Sequence, residues 1–186
     1  MIVVGICGGS ASGKSTVARL VSTALESEGH TVEVLGLDKF FRRNDPDAPT
    51  FPFSYTNQPE FNANHPETVD VEKTLQTIKA SNAKIVILEG HLILALKELD
   101  DICDFTAYLD LPDDIRAARR IARDIKDRRL DGDLDKIVAY YIECAHPGHL
   151  EWVEPYKQDA DLMVDGMLPP ELIADLLASV VLEQVG

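Results

Sequence analysis

"GICGGSASGKST" occupies residues 5–16, directly behind the apolar run "MIVV", and it packs four glycines, four hydroxyl residues and a lysine into one short stretch. A segment this flexible, at the end of what reads as a buried strand, adds nothing to a core. Within it, "GGSASGKS" (8–15) satisfies G-x-x-x-x-G-K-[ST] at every defined position. A strand before it and an amphipathic helix after it are the setting in which this pattern cradles phosphate. Gly8, Gly9, Ser10, Ala11, Ser12 and Gly13 can turn backbone N–H groups toward phosphate oxygens. The helix start that follows, with Thr16, adds its positive dipole end. Lys14 is expected to reach the β- and γ-phosphates and Ser15 to ligate Mg²⁺. The segment is read as wrapping a nucleoside triphosphate, with ATP as the default donor.

Working outward, Val3, Val4, Ile6 and Cys7 give the continuous apolar pattern of a strand buried on both faces. Val17, Leu20, Val21, Ala24 and Leu25 recur at helical spacing until Gly29 stops them. Further strands are read at 31–37, 83–90, 105–111 and 160–166, and further helices at 69–80, 113–129, 134–146 and 170–184. Such alternation implies right-handed βαβ crossovers. The expected fold is therefore α/β of the P-loop NTPase class, a five-stranded parallel sheet flanked by helices. Residues 41–67, rich in Pro, Asn, Asp and aromatics, read as a long irregular connection, a kind that is usually functional or disordered. No repeat or linker interrupts the chain, so 1–186 reads as a single domain.

Thirty-two acidic residues against 18 basic ones give a formal charge of −14, which argues against nonspecific binding to nucleic acid or anionic membranes. Cysteines 7, 103 and 144 are odd in number and lie far apart. They read as buried thiols of a reducing compartment and not as a disulfide or zinc framework. With no basic leader and no apolar stretch long enough to span a bilayer, a cytoplasmic protein without membrane contact is expected.

A P-loop alone does not select a chemistry. The chain has no N/T-K-x-D guanine-reading motif and no LSGGQ-like signature, which lowers the GTPase and transporter readings. A kinase additionally needs a base, a second carboxylate on the Mg²⁺ side and cations for the migrating phosphoryl group. Asp38 follows the second strand, at the carboxyl end that lines the crevice of an open α/β sheet. It can accept a hydroxyl proton or hold Mg²⁺ through water, or it can merely cap a short helix at 39–43. Glu89 ends the third strand and is placed for the Mg²⁺ side, or is an ordinary strand-end acid. Arg116, Arg120 and Arg123 share one helix face opposite Ile115, Ala118, Ile121, Ala122 and Ile125, with Arg128 and Arg129 following. Such a row suits a lid over phosphates, at about 116–133, or a solvated face. His146 and His149 flank Pro147 and Gly148, which read as breaking the helix into a structural turn. Cys7, Trp152 and Tyr156 read as packing. Phe40, Phe41, Phe51, Phe53, Tyr55 and Phe61 suit a pocket wall and a loop core equally.

The P-loop, "DKFFR" (38–42), "FNANHPETVD" (61–70), "ILEG" (87–90), "RRIARDIKDR" (119–128) and "HLEWVEPYKQDAD" (149–161) follow one another as in uridine kinases and their relatives. Those relatives include nicotinamide riboside kinase, phosphoribulokinase and bacterial pantothenate kinase, and the resemblance covers nearly the whole chain. It implies transfer of the ATP γ-phosphate to a hydroxyl, most closely a nucleoside 5′-hydroxyl. On matching positions it implies Asp38 as base, with Ser15 and Glu89 on the Mg²⁺ side. It further implies Lys14, Arg120 and Arg123 on the transferring group, Arg128 on the nucleotide, and Asn64, His65 and Tyr140 on the substrate side. The expected partners are a nucleotide and a small hydroxyl compound, with a homo-oligomer as a further option. Two departures stand out. The family's "N-F-D-H-P" reads "N-A-N-H-P" here, placing Asn64 where an aspartate binds ribose hydroxyls, and Tyr140 stands where uridine kinases carry a substrate-side glutamine. In addition, residues 71–83 are too few for the pyrimidine-reading hairpin that uridine kinases place there. Weakened pyrimidine selectivity is expected.

Overall fold

The computed structural model describes residues 1–185. In chain order the elements are β1 (Ile2–Cys7), α1 (Lys14–Ser27), β2 (Val32–Gly36), β3 (Thr50–Phe53), β4 (Gln58–Phe61), α2 (Val71–Ala80), β5 (Ile85–Glu89), α3 (Lys97–Asp100), β6 (Phe105–Asp110), α4 (Asp113–Lys126), α5 (Leu134–Tyr140), α6 (His146–Trp152), β7 (Leu162–Asp165) and α7 (Pro170–Val185). Strands β2, β5, β1, β6 and β7 form one sheet in that order, and every pairing in it is parallel. This is the expected five-stranded sheet. The chain leaves β1 in one direction toward β5 and β2 and in the other toward β6 and β7. That reversal opens a crevice at the carboxyl end of β1.

Two apolar layers clamp the sheet. On one face Val17, Val21 and Leu25 of α1 and Ile173, Leu177 and Val181 of α7 pack on Val4, Ile6, Ile85 and Ile87. On the other, Ile78, Leu92, Ile93 and Leu99 cover Val3, Val86 and Leu88. Strand residues alternate between these layers, so β1 is apolar along its length, as is β5 up to Glu89. Helix α2 starts where the Asp70 carboxylate accepts the Lys73 N–H at 2.9 Å, which satisfies one of the free donors of the first turn.

Two expectations change and one between them holds. Residues 41–67 are not irregular throughout, because β3 and β4 pair as an antiparallel hairpin. Residues 71–83 hold α2 and no hairpin, as their number required. The helix expected at 134–146 passes through a single π turn, Tyr141–Ala145, into α6, so Pro147 and Gly148 lie inside a helix instead of a turn. Pro147 fits because a first-turn residue has no N–H bond to lose. Gly148 fits because a Cβ there would collide with Cβ of Asn64.

Candidate active site

At the crevice the P-loop closes on itself. Ser12 N–H donates to Gly9 O at 3.1 Å, and Gly13, at φ +102°, turns the chain into α1. Ala11 sits at φ +67°, a left-handed conformation that costs a residue with a Cβ and is typical of strained functional loops. Lys14 is only 8% exposed and donates from Nζ to Gly9 O at 2.8 Å. Burial lowers the affinity of this ammonium for its proton, and the carboxylates of Glu89 and Asp38 pull the other way. Gly9 lies against the Arg116 guanidinium, where a Cβ would come within 2.5 Å of Nη1. Any side chain at Gly9 would therefore displace that cation.

Register then assembles the acids. Ile6 and Gly36 both pair with Glu89, so the ends of β1, β2 and β5 lie side by side. The Ser15 hydroxyl donates to Glu89 Oε1 at 2.9 Å. Asp38 belongs to a short 3₁₀ turn, Leu37–Phe40, whose N-cap is Gly36, and its side chain makes no capping bond. The capping alternative for Asp38 therefore falls away. Its carboxylate is exposed in a cleft of about 720 Å³ that it shares with Ser10, Ala11, Gly13, Lys14, Ser15, Thr16 and Glu89.

The arginine row faces inward. Arg116 is 3% and Asp124 5% exposed, whereas Ile125 is 41% exposed and Ala118 and Ala122 lie at the surface. The solvated-face reading is excluded. Arg116 pairs with Asp113 and points Nη1 at Ser10 O, 3.5 Å away. Asp124 gathers the others: Arg123 Nη2 lies 2.7 Å, Arg120 Nε 3.4 Å and Arg129 Nε 3.6 Å from its oxygens. Burial also disfavours the charged form of Arg120. Helix α4 ends at Lys126, three residues before the expected end, and Arg128 (φ +53°) does not line the cleft, whereas Arg129 does. Six of the chain's 18 basic residues (Lys14, Arg43, Arg119, Arg120, Arg123 and Arg129) line this cleft against four acids. In a chain of net charge −14, that local excess marks a site for an anion.

The opposite wall is aromatic. Arg43 lies over the rings of Phe41 and Phe61, 5.4 and 5.0 Å from their centroids. The Tyr140 hydroxyl donates to Phe61 O at 3.1 Å, and its ring meets Phe51 and Phe53 edge-on. Phe41 and Phe61 thus line the cleft, while Phe53 is buried beneath the hairpin. Asn64 reaches the cleft but is 5% exposed, and its amide donates to Cys144 Sγ at 3.3 Å. His65 turns away from the cleft. Its Nδ1 accepts the Glu67 N–H at 3.2 Å, and its ring packs edge-on against Trp152. His91, which the sequence reading passed over, lines the cleft two residues beyond Glu89. A polar residue breaking "ILEGHLIL" at a strand end was its one signal.

Among the described residues no cluster of three or more His, Cys, Asp or Glu side chains has metal-binding geometry. Mg²⁺ needs no such cluster beside a nucleotide, since it takes one or two carboxylates and completes its shell with phosphate oxygens and water. The hard oxygens of Ser15, Glu89 and Asp38 fit that demand. No helix among the described residues is long and apolar enough to cross a membrane.

A parallel sheet with its phosphate loop after β1, facing carboxylates at neighbouring strand ends and an arginine-faced helix, defines the class of P-loop kinases. The crystal structure of a candidate fructose transport system kinase from Silicibacter sp. TM1040 superposes with a TM-score of 0.67 at 22% identity, covering 88% of this chain and 89% of that one. A candidate uridine kinase from Bacillus stearothermophilus gives 0.56 at 20% identity, covering 88% of each chain. These two likenesses establish the fold. The sequence model of the phosphoribulokinase/uridine kinase family matches residues 49–173. The uridine kinase of Latilactobacillus sakei subsp. sakei (strain 23K) is 30% identical over 88% of this chain and 84% of its own length. The chain belongs to the phosphoribulokinase/uridine kinase family, and is a phosphotransferase acting on a hydroxyl group.

Proposed function

We propose that the protein is an ATP- and Mg²⁺-dependent kinase that phosphorylates the 5′-hydroxyl of a nucleoside or a similar ribosyl alcohol. The observation that carries this reading is the meeting, in one cleft, of Lys14, the hydrogen-bonded Ser15–Glu89 pair and the exposed Asp38, with an aromatic wall opposite. The 30% identity to a uridine kinase supports the acceptor class.

In this reading the P-loop N–H groups and Lys14 hold the β- and γ-phosphates, and Lys14 exchanges its bond to Gly9 O for phosphate oxygen. Ser15, Glu89 and Asp38 would hold Mg²⁺, which supplies charge neutralisation at the phosphates. Asp38 takes the proton of the attacking hydroxyl. Arg120, Arg123 and Arg129, already drawn together by Asp124, meet the charge of the migrating group, and residues 116–133 act as the lid. Phe41 and Phe61 flank the acceptor as faces against which a planar base can stack. The unpaired cysteines favour a cytoplasmic setting.

The test is a screen for ADP formation with ATP and Mg²⁺ over a panel of nucleosides, other ribosides and small alcohols. A riboside is expected to raise ADP formation at least tenfold over the acceptor-free rate. Hydrolysis that no acceptor stimulates would instead describe a nucleotide-dependent switch.

A further inference from the structure

The hydrogen bonds around the loop Asn62–Asn64 fix the polarity of two side chains at the acceptor wall. The backbone N–H of Asn64 can only donate, and it lies 3.0 Å from Oδ1 of Asn62, so that atom is the amide oxygen. Cys144 Sγ lies 3.2 Å from the same oxygen and must therefore be the donor there. The sulfur then accepts from Asn64 Nδ2 at 3.3 Å, which leaves Asn64 Oδ1 as the free end of that amide. His91 obeys the same logic. Its Nε2 is 3.2 Å from Ala63 O, a carbonyl that can only accept, so Nε2 carries the proton. In the neutral ring Nδ1 is then a bare acceptor. Neither Asn64 Oδ1 nor His91 Nδ1 is sealed from solvent without a partner, and both residues line the cleft together with Asp38.

From this geometry we infer that His91 is a specificity-determining residue, which presents Nδ1 beside Asn64 Oδ1 and the Asp38 carboxylate as three acceptors that read hydroxyl donors of a polyhydroxylated ligand. The inference rests on the acceptor site proposed above and adds the residue that selects among its ligands. A wall of acceptors binds a diol because each hydroxyl brings its own proton. A ligand lacking those hydroxyls leaves the acceptors desolvated and unpaired, the situation in which discrimination is strongest. Asn64 supports this without the charge of an aspartate. Its orientation is held by Cys144, which the π turn Tyr141–Ala145 brings to the loop. Phe41, edge-on to the His91 ring at 6.1 Å, holds the imidazole in place.

The test is calorimetric binding at pH 8, where a free imidazole is neutral, so that the result does not depend on turnover. The probes are ribosides and their 2′-deoxy and 3′-deoxy counterparts, with an unreactive ATP analogue and Mg²⁺ present. The wild-type protein is expected to bind at least one riboside about tenfold or more tightly than its deoxy counterparts. His91→Gln keeps an N–H where Nε2 donates to Ala63 O and removes the acceptor at Nδ1. It should bring riboside and deoxy compound to within about threefold, with the melting temperature and ATP-analogue affinity unchanged. His91→Asn, which keeps an acceptor near Nδ1, should recover part of the preference. Equal binding of both ligand types by the wild type, no riboside binding at all, or an undiminished preference in His91→Gln would each overturn the inference. Discrimination in binding without phosphoryl transfer in the ADP screen would instead uphold the wall and remove the kinase reading.

Discussion

The phosphate side and the acceptor side of the cleft are built from different material. The phosphate side hangs on strand ends: the P-loop on β1, Asp38 after β2 and Glu89 on β5, locked in register by the sheet. The acceptor side hangs on turns: a 3₁₀ turn, a two-stranded ribbon, the loop Asn62–His65 and a π turn, tied by hydrogen bonds through Tyr140 and Cys144. Chemistry common to all P-loop kinases rests on the rigid half. Whatever distinguishes this enzyme's acceptor rests on the half that short segments can remodel. Mutations on the first side should therefore change rate, and those on the second should change choice.

The largest expected effect lies on the phosphate side. Lys14→Ala should lower kcat by about 10³–10⁵-fold, the range seen for one cation on a transferring phosphoryl group, with an unchanged circular dichroism spectrum. A folded variant with near-normal kcat would break the assignment. Asp38→Asn should lower kcat by about 10²–10⁴-fold while ATP still binds, as for a positioned base. Loss of stability alone would leave Asp38 a structural residue.

At the boundary of the two halves, Asp124→Asn should lower kcat by up to about 10²-fold with little change in the acceptor KM, because it frees three guanidiniums from a common anchor. Hydrogen exchange of residues 116–133 should slow when a bisubstrate analogue binds the wild type, and slow less in the variant. Exchange that ignores the analogue would remove the lid from the mechanism.

On the acceptor side, uridine should exceed several other ribosyl compounds in kcat/KM by less than about tenfold, roughly 1.4 kcal/mol. Aromatic faces stack on any base, and residues 71–83 hold no base-reading ribbon. A hundredfold preference for uridine and cytidine would instead make the Thr50–Phe61 ribbon the base reader. The smallest effect concerns pH. His149, buried on α6 beside the Gly148 that packs on Asn64, has its pKa lowered to about 4, first by burial and then by Arg116. An unfolded chain takes up that proton below about pH 6.5, whereas the folded one resists it until about pH 4. Stability is thus retained above pH 6.5 and lost as the pH falls toward 4. The wild-type melting temperature should fall by roughly 5 °C or more over that interval, and that of His149→Gln by less.

The two halves also differ in how far the sequence disclosed them. The P-loop, Asp38 and Glu89 were legible because each sits on a contiguous motif at a strand end. The ribbon was not. Pro52 of "TFPF" faces Pro59 of "QPEF" in register, so neither strand shows the alternation or the full set of donors that marks a sheet. Pro147 and Gly148 read as helix breakers because composition does not show that one occupies a first turn and the other a close approach to Asn64. Spacing put Arg116, Arg120 and Arg123 on one face of α4, but spacing does not say which face looks inward. His65 was carried by its neighbours in "NHP" and proved to be a cap, whereas His91 had only its polarity within an apolar run to mark it.

A helix normally clings to its domain through methyl groups, and detaching it exposes apolar surface with a large rise in heat capacity. Helix α4 is inside out, with Arg116, Arg120 and Asp124 toward the protein and Ala118, Ala122 and Ile125 toward water. Its release would wet charged groups and little hydrocarbon, so its grip should respond weakly to temperature. The sheet and the helix are thus governed by different variables: heat loosens the first, and charge brought beside the guanidiniums of the helix, such as that of the polyphosphate it would close upon, loosens or fastens the second.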